Sequence, residues 1–504
     1  MESVAYIDLF SENVRRIAAE FDKATDTQDV DELYSLINRA LSNVENENYA
    51  SQAQIYYSVG TAYSEIKRIT KSNDEKLVEK QFFYLRESIS AIGKVDMSNP
   101  AHRPCIISFV AQLYTNYGNL LSSCGRMISA IDQYLQALVF YPTFGMAQGN
   151  LGVAYYKYCI LTYPDECKEF FWYFAYHYLT MGVTSRDPNV HDEGRNYFQS
   201  VLNAYPPQYK GDEKLVIPAK EYENQEEQAY RKWTLHNHLF LNPLNDLPIS
   251  ESYIAQDTLQ LPDMIVKIDD KPIFHGMFNQ LKQEFIYARY LTFRSTQGCT
   301  DDVHFADKDT FLLNFADYPQ YSIRIEELKS AYRILYGLLD KIAFFINSYF
   351  DLGIKERDIS FNSIWWNSKN GKSGYQYKNV LEPNANYGLN ALYWINKDFH
   401  ERYVDSPNPA SKRISDIRNA LEHKYVKVTW DLFKRQDETR IDDLALYVQE
   451  GELAFYTLEL LKMLREMIIS LAFCVRIEEH KRNQQAETFA VPFAFHLYDD
   501  EWKT

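Results

Sequence analysis

Apolar residues along this chain recur mostly at intervals of three and four, the period of amphipathic helices. The pattern is clearest in the C-terminal half. Leu335, Leu338, Leu339, Ile342, Phe345, Ile346 and Tyr349 form a wide stripe over a helix predicted for Arg324–Phe350, with Asp340 and Lys341 near its edge. Leu453, Tyr456, Leu460, Met463, Leu464, Met467 and Leu471 do the same over Glu452–Glu479. Further helices are predicted over Met277–Phe293, Tyr387–Tyr403 and Ser411–Val428. Long amphipathic helices joined by short loops predict an up-and-down bundle across residues 273–490. Trp365-Trp366 and Asn384–Trp394 read as loop insertions or helix starts over it.

The N-terminal half repeats itself. Tyr114, Tyr117, Gly118 and Leu121 are followed by Ala130, Tyr134, Ala137 and Pro142, and a shift of 34 residues brings Gln148, Leu151, Gly152 and Tyr155 into the first four places. Those offsets resemble the tetratricopeptide repeat (TPR), in which small residues sit where two helices cross and proline ends the second helix. Val59, Gly60 and Tyr63, with Tyr84, Ser88 and Ala91, make an interrupted earlier copy. Residues 1–205 are therefore expected to form a separable TPR-like α-solenoid, whose exposed surface suits a protein partner. Tyr205-Pro-Pro207 stops the array. Residues 206–272 read as a connector with charged runs, Pro-punctuated loops and a short strand over Met264–Ile268; residues 491–504 read as a C-terminal tail. The fold class expected is mainly α.

Composition narrows the function. Gly (18) and Pro (17) are scarce, and 40 Tyr with 30 Phe suit packed helical arrays. A net charge of −16 argues against broad, non-specific binding to nucleic acid, so a nucleic-acid ligand would need a local basic site. Six cysteines without a C-x-x-C pair read as reduced thiols of a cytoplasmic protein, and no apolar run is long enough to span a bilayer. No H-E-x-x-H motif and no Cys/His cluster suggests a metal site, so neither metal nor cofactor is expected. His236-Asn-His238 invites comparison with an HNH nuclease, but nothing around it supplies the rest of a ββα-metal unit.

One stretch supplies the local basic site. Ser411–Lys427 carries Lys412, Arg413, Arg418, Lys424 and Lys427 against Asp416 and Glu422. Ile414, Ile417, Leu421, Tyr425 and Val428 make one apolar helical face, with Ser411 as a candidate N-cap after Pro407 and Pro409. Asp416, Asn419 and His423 line a polar face. Arg418-Asn419-x-x-x-His423 resembles the Arg-x4-6-His motif of the HEPN (higher eukaryotes and prokaryotes nucleotide-binding) superfamily, in which a small polar residue commonly follows the arginine. The motif falls in the penultimate long helix of a bundle, as it does in that family.

The resemblance implies a metal-independent endoribonuclease of the toxin–antitoxin or antiviral-defence kind, cutting single-stranded RNA or tRNA. The 2′-hydroxyl would attack the adjacent phosphorus to leave a 2′,3′-cyclic phosphate. His423 would move protons, as an imidazole near neutral pH can. Arg418 would hold phosphate oxygens in the transition state. Asn419 would orient His423 or bond the phosphate, and Asp340 would support the motif from an earlier helix. Lys412, Arg413, Lys424 and Lys427 are candidate RNA-binding side chains. Five residues at about 100° each leave Arg418 and His423 about 140° apart on one helix. The resemblance resolves this with a homodimer in which two motif helices line one cleft. A protein trigger or inhibitor bound by the TPR-like region would restrain the enzyme. The competing expectation is a non-catalytic TPR/HEPN scaffold or regulatory partner.

Overall fold

A computed structural model describes residues 9–99, 102–162, 167–206, 221–249, 252–264, 271–297, 303–313, 318–367, 376–377, 381, 383–399, 409–430, 442–485 and 498–503. The protein is mainly α, and its chain divides into two compact units.

The first unit takes Met1–Ile160, Lys168–Leu215 and Lys397–Lys412. Its helices are α1 (Glu12–Asp26), α2 (Val30–Leu41), α3 (Tyr49–Thr70), α4 (Glu75–Ile92), α5 (Arg103–Ser123), α6 (Met127–Phe140), α7 (Gly145–Leu161), α8 (Lys168–Thr184) and α9 (Asp192–Asn203). Starts are written locally: Ser11, Asp29, Asn48 and Asp74 each accept a backbone N–H of the following first turn. Consecutive helices then pack in pairs, α3 on α4 and α5 on α6. The glycines of the 34-residue pattern lie at the crossings. A methyl group on Gly118 would sit 2.6 Å from the Tyr134 ring of α6, and one on Gly152 would sit 2.6 Å from the Leu179 backbone nitrogen of α8. At Gly118 a side chain would have to give way, whereas at Gly152 it is the α8 backbone, which cannot yield without moving the helix. Gly152→Ala is therefore expected to destabilise this unit by about 1–3 kcal/mol despite alanine's better helix propensity, and by more than Gly118→Ala does. Thermal melts of the two variants check this.

The unit is closed by residues from far along the chain. Asp398 accepts from Arg86 Nη1 at 2.9 Å and Nη2 at 2.7 Å, and from Arg126 Nη1 at 2.8 Å; Arg86 Nε also donates to the Tyr117 hydroxyl at 3.0 Å. Neighbouring Lys397, 5% exposed, donates to Glu79 at 2.6 Å and pairs with Glu75. A fragment ending at residue 205 lacks these partners.

The second unit takes Leu161–Cys167, Val216–Asn396 and Arg413–Thr504. Its frame is α10 (Gln225–His236), α11 (Ile273–Gln297), α12 (Ile323–Tyr349), α13 (Tyr387–Phe399), α14 (Pro409–His423) and α15 (Glu450–Gln485), with the last three residues of α13 and the first turn of α14 assigned to the first unit. α11, α12 and α15 pack on one another, and the predicted stripes are their contact faces: Leu335, Leu338, Ile342 and Phe345 on α12, and Leu453, Leu460, Leu464 and Met467 on α15, are fully buried. At Gly388 of α13 an added methyl would lie 2.3 Å from Ser470 O, so α13 and α15 meet backbone to backbone.

Two short strand pairs complete the unit. β1 (Trp366–Asn367) and β2 (Gln376–Tyr377) are antiparallel; β3 (Tyr425–Thr429) and β4 (Ala445–Gln449) are parallel, with Lys427 opposite Tyr447. This corrects the helix predicted over Ser411–Val428. The helix begins at Pro409, where a proline fits the first turn, and ends at His423. Tyr425-Val-Lys-Val-Thr alternates and is rich in β-branched residues, so it forms a strand whose Tyr425 and Val428 also happen to fit a helical spacing.

Residues 225–261, read from sequence as connector, are built into this unit. Arg465 of α15 donates to Asp246 at 2.6 and 3.0 Å and to the carbonyls of Phe240 and Asn242, with both charged side chains 2% exposed. Arg289 of α11 grips Asp257 through two 2.8 Å bonds and also donates to Leu239 O and the Tyr230 hydroxyl. Burial alone would raise the Asp257 pKa, but the Arg289 charge and hydrogen bonds outweigh it and hold the carboxyl below its ordinary value. Most of the strand expected over Met264–Ile268 and most of the tail at 491–504 lie outside the described residues.

Candidate active site

The site is built on α14, and α12 fixes how α14 lies. The Tyr332 hydroxyl, fully buried, donates to Ile414 O at 2.8 Å, and Arg333 Nη2 donates to Leu421 O at 3.0 Å. From the other side Arg413 Nε donates to Glu452 at 2.6 Å and its Nη2 to Tyr447 O at 3.3 Å. Ile414, Ile417, Ala420 and Leu421 are buried by these neighbours. Asp416, Asn419 and His423 are left exposed along the opposite face.

Arg418 stands between the two faces. Its guanidinium lies over the Tyr336 ring, 5.1 Å from the centroid, and Nη1 donates to Asn419 Oδ1 at 3.0 Å. Tyr336 is thus a support for Arg418 that the sequence reading missed. Burial, with a smaller contribution from the Asp340 charge, raises its pKa against the pull of Arg418 and Ser415. A spacing of one turn between Tyr332 and Tyr336 was legible, but which partner helix they would face was not.

The arrangement gathers some candidates and separates others. Asn419 touches Arg418, the residue beside it, where the sequence reading had it orienting His423 or bonding a phosphate. His423 is exposed on the last turn of α14. Asp340 is one turn beyond Tyr336 on α12, and its carboxylate accepts from Phe361 N at 3.0 Å, anchoring the following loop. Lys412 and Lys424 are exposed. Arg413 is committed to Glu452, and the Lys427 side chain is 7% exposed, 3.4 Å from Asp442. Arg333 brings a further exposed cation, unforeseen from sequence, to the C-terminal end of α14. His238 is engaged with Asn245 O at 2.6 Å.

Chemically, the cluster offers an anion site and a proton carrier. Arg418 keeps guanidinium donors beyond the one given to Asn419, and its base is fixed by a ring and an amide. Among the described residues no group of three or more His, Cys, Asp or Glu gathers to hold a metal, and no helix is long and apolar enough to cross a membrane.

Residues 265–478, which contain Asp340, Tyr336, Arg418, Asn419 and His423, match the family model described as LA2681-like HEPN. Comparison with curated proteins and with solved structures gives no match.

Proposed function

We propose, taking residues 265–478 as a HEPN domain, that this protein is a metal-independent endoribonuclease. The observation that carries the reading is a helix anchored by α12 and α15, within that domain, with Asn419 and His423 on its outward side and Arg418 at the edge of that side. Arg418 binds the scissile phosphate and stabilises the charge that builds on it. His423 takes the 2′-hydroxyl proton or protonates the leaving 5′-oxygen. RNA supplies its own nucleophile, so the P–O5′ bond breaks as the O2′–P bond forms, leaving a 2′,3′-cyclic phosphate and a 5′-hydroxyl.

Arg418 leans towards Tyr336 while His423 occupies the exposed face, so one chain presents the two halves separately. A homodimer that apposes two α14 helices supplies an arginine from one protomer and a histidine from the other. In this reading the TPR-like region binds the protein that triggers or inhibits cleavage, as a toxin or defence effector requires.

The test is incubation of the full chain with single-stranded RNA and tRNA with and without EDTA, with analysis of the new ends. EDTA-resistant cutting that leaves cyclic phosphates supports the reading; no cutting, or cutting abolished by chelation, removes it. Tyr336 gives a finer check. A cation–π contact of this kind contributes about 0.5–2 kcal/mol. Tyr336→Leu is therefore expected to slow cleavage roughly 2- to 30-fold, whereas Tyr336→Phe, which keeps the ring under Arg418, stays near wild type; single-turnover rates decide.

A further inference from the structure

β3 begins two residues beyond His423 and displays an unusual ring. Alternation puts Tyr425 and Lys427 on one face of the strand; Val426 and Val428 on the other are buried, at 7% and 1% exposure. The Lys427 ammonium lies over the Tyr425 ring at 5.8 Å and over the Tyr447 ring at 5.6 Å, and is neutralised by Asp442. Tyr425 is therefore held by a caged cation, yet it is 45% exposed. On the other side of β3, Gln320 N donates to Val428 O at 2.7 Å and Pro319 bridges Thr429. That segment is pinned in turn: Gln320 Nε2 donates to Glu450 at 2.8 Å, and Arg324 pairs with the same carboxylate.

A ring fixed beside a buried cation and open to solvent loses little freedom when a flat ligand stacks on it. The open ring adjoins exposed Lys424, which matches a ligand that carries phosphates as well as planar faces. We propose that Tyr425, held by Lys427, is a base-stacking platform for single-stranded RNA, receiving a nucleotide close to the phosphate served by His423. The proposal rests on the ribonuclease reading above.

The experiment measures binding of a fluorescein-labelled uridine decamer, by anisotropy, to the full chain carrying His423→Ala so that no cutting intervenes. Tyr425→Leu in that background is expected to weaken binding between about fivefold and 150-fold, the range for loss of one stacked base, while Tyr425→Phe stays within about twofold. A decamer abasic throughout should bind the Tyr and Leu forms alike. Equal affinity of the Tyr and Leu forms for the uridine decamer, with wild-type cleavage intact, overturns the platform and leaves the ribonuclease reading standing. Failure of the wild-type chain both to bind and to cut RNA overturns the two together. Tyr425 is half exposed, so the Leu form is expected to melt at the wild-type temperature, and the Phe form keeps the comparison valid if it does not.

Discussion

Arg418→Ala and His423→Ala are each expected to lower RNA cleavage by about 10²–10⁴-fold, with secondary structure and melting temperature unchanged. A positioned acid or base typically contributes that much, and one donor aimed at developing charge contributes about 10²–10³-fold. Folding should be spared because the described contacts of Arg418 are Asn419 and the Tyr336 ring, and because His423 is exposed at a helix end. Asn419→Ala should cost less, since it removes only the amide that steadies Arg418. Mixing makes the dimer testable. If each cleft takes Arg418 from one protomer and His423 from the other, co-expressing the two inactive forms yields some heterodimers with one intact pair, and partial activity returns. Cleavage that survives both substitutions would sink the assignment. A protein that is monomeric by light scattering and still cuts RNA would sink the shared cleft but spare the chemistry.

Asp246→Ala should be the most damaging single change to stability described here, at about 3–5 kcal/mol. It removes from Arg465, 2% exposed, a carboxylate that accepts two of its hydrogen bonds, at 2.6 and 3.0 Å. The controlling comparison is the double variant Asp246→Leu with Arg465→Met, which buries apolar groups in place of the pair and should recover most of the loss. Urea or thermal melts of the full chain report both. A single variant that melts within a degree or two of wild type would show that the pair contributes little.

How much of this was legible in the sequence depends on how far each signal reaches. Helices α11, α12 and α15 could be read because a stripe such as Leu335–Ile342–Phe345 is repeated within a few turns. The first unit's helix pairs could be read because Gly118 and Gly152 answer a requirement met inside a single repeat. The motif helix could be found, but not its end: Tyr425 and Val428 fit a helical spacing while Val426 and Val428 fit a two-residue one, and β4, twenty residues on, decides between them. Partnerships across long separations left no local trace. Nothing near Arg465 or Arg289 announces Asp246 or Asp257, so the stretch around them read as a connector. Likewise nothing local singled out Tyr336, because its value lies in Arg418, on a helix not yet placed.

The first unit's use of residues 397–412 has a consequence for synthesis. A ribosome releases Arg86, Arg126, Glu75 and Glu79 long before it makes Lys397 and Asp398. At about 5–20 residues per second, the interval between residue 215 and residue 397 is roughly 10–40 s. Throughout that interval the nascent helices carry two arginines and two glutamates that still lack the Asp398 and Lys397 contacts of the finished unit. The chain segment that ends the wait runs straight into Ser411–His423, so the first unit is completed only as the arginine and histidine of the motif are being made.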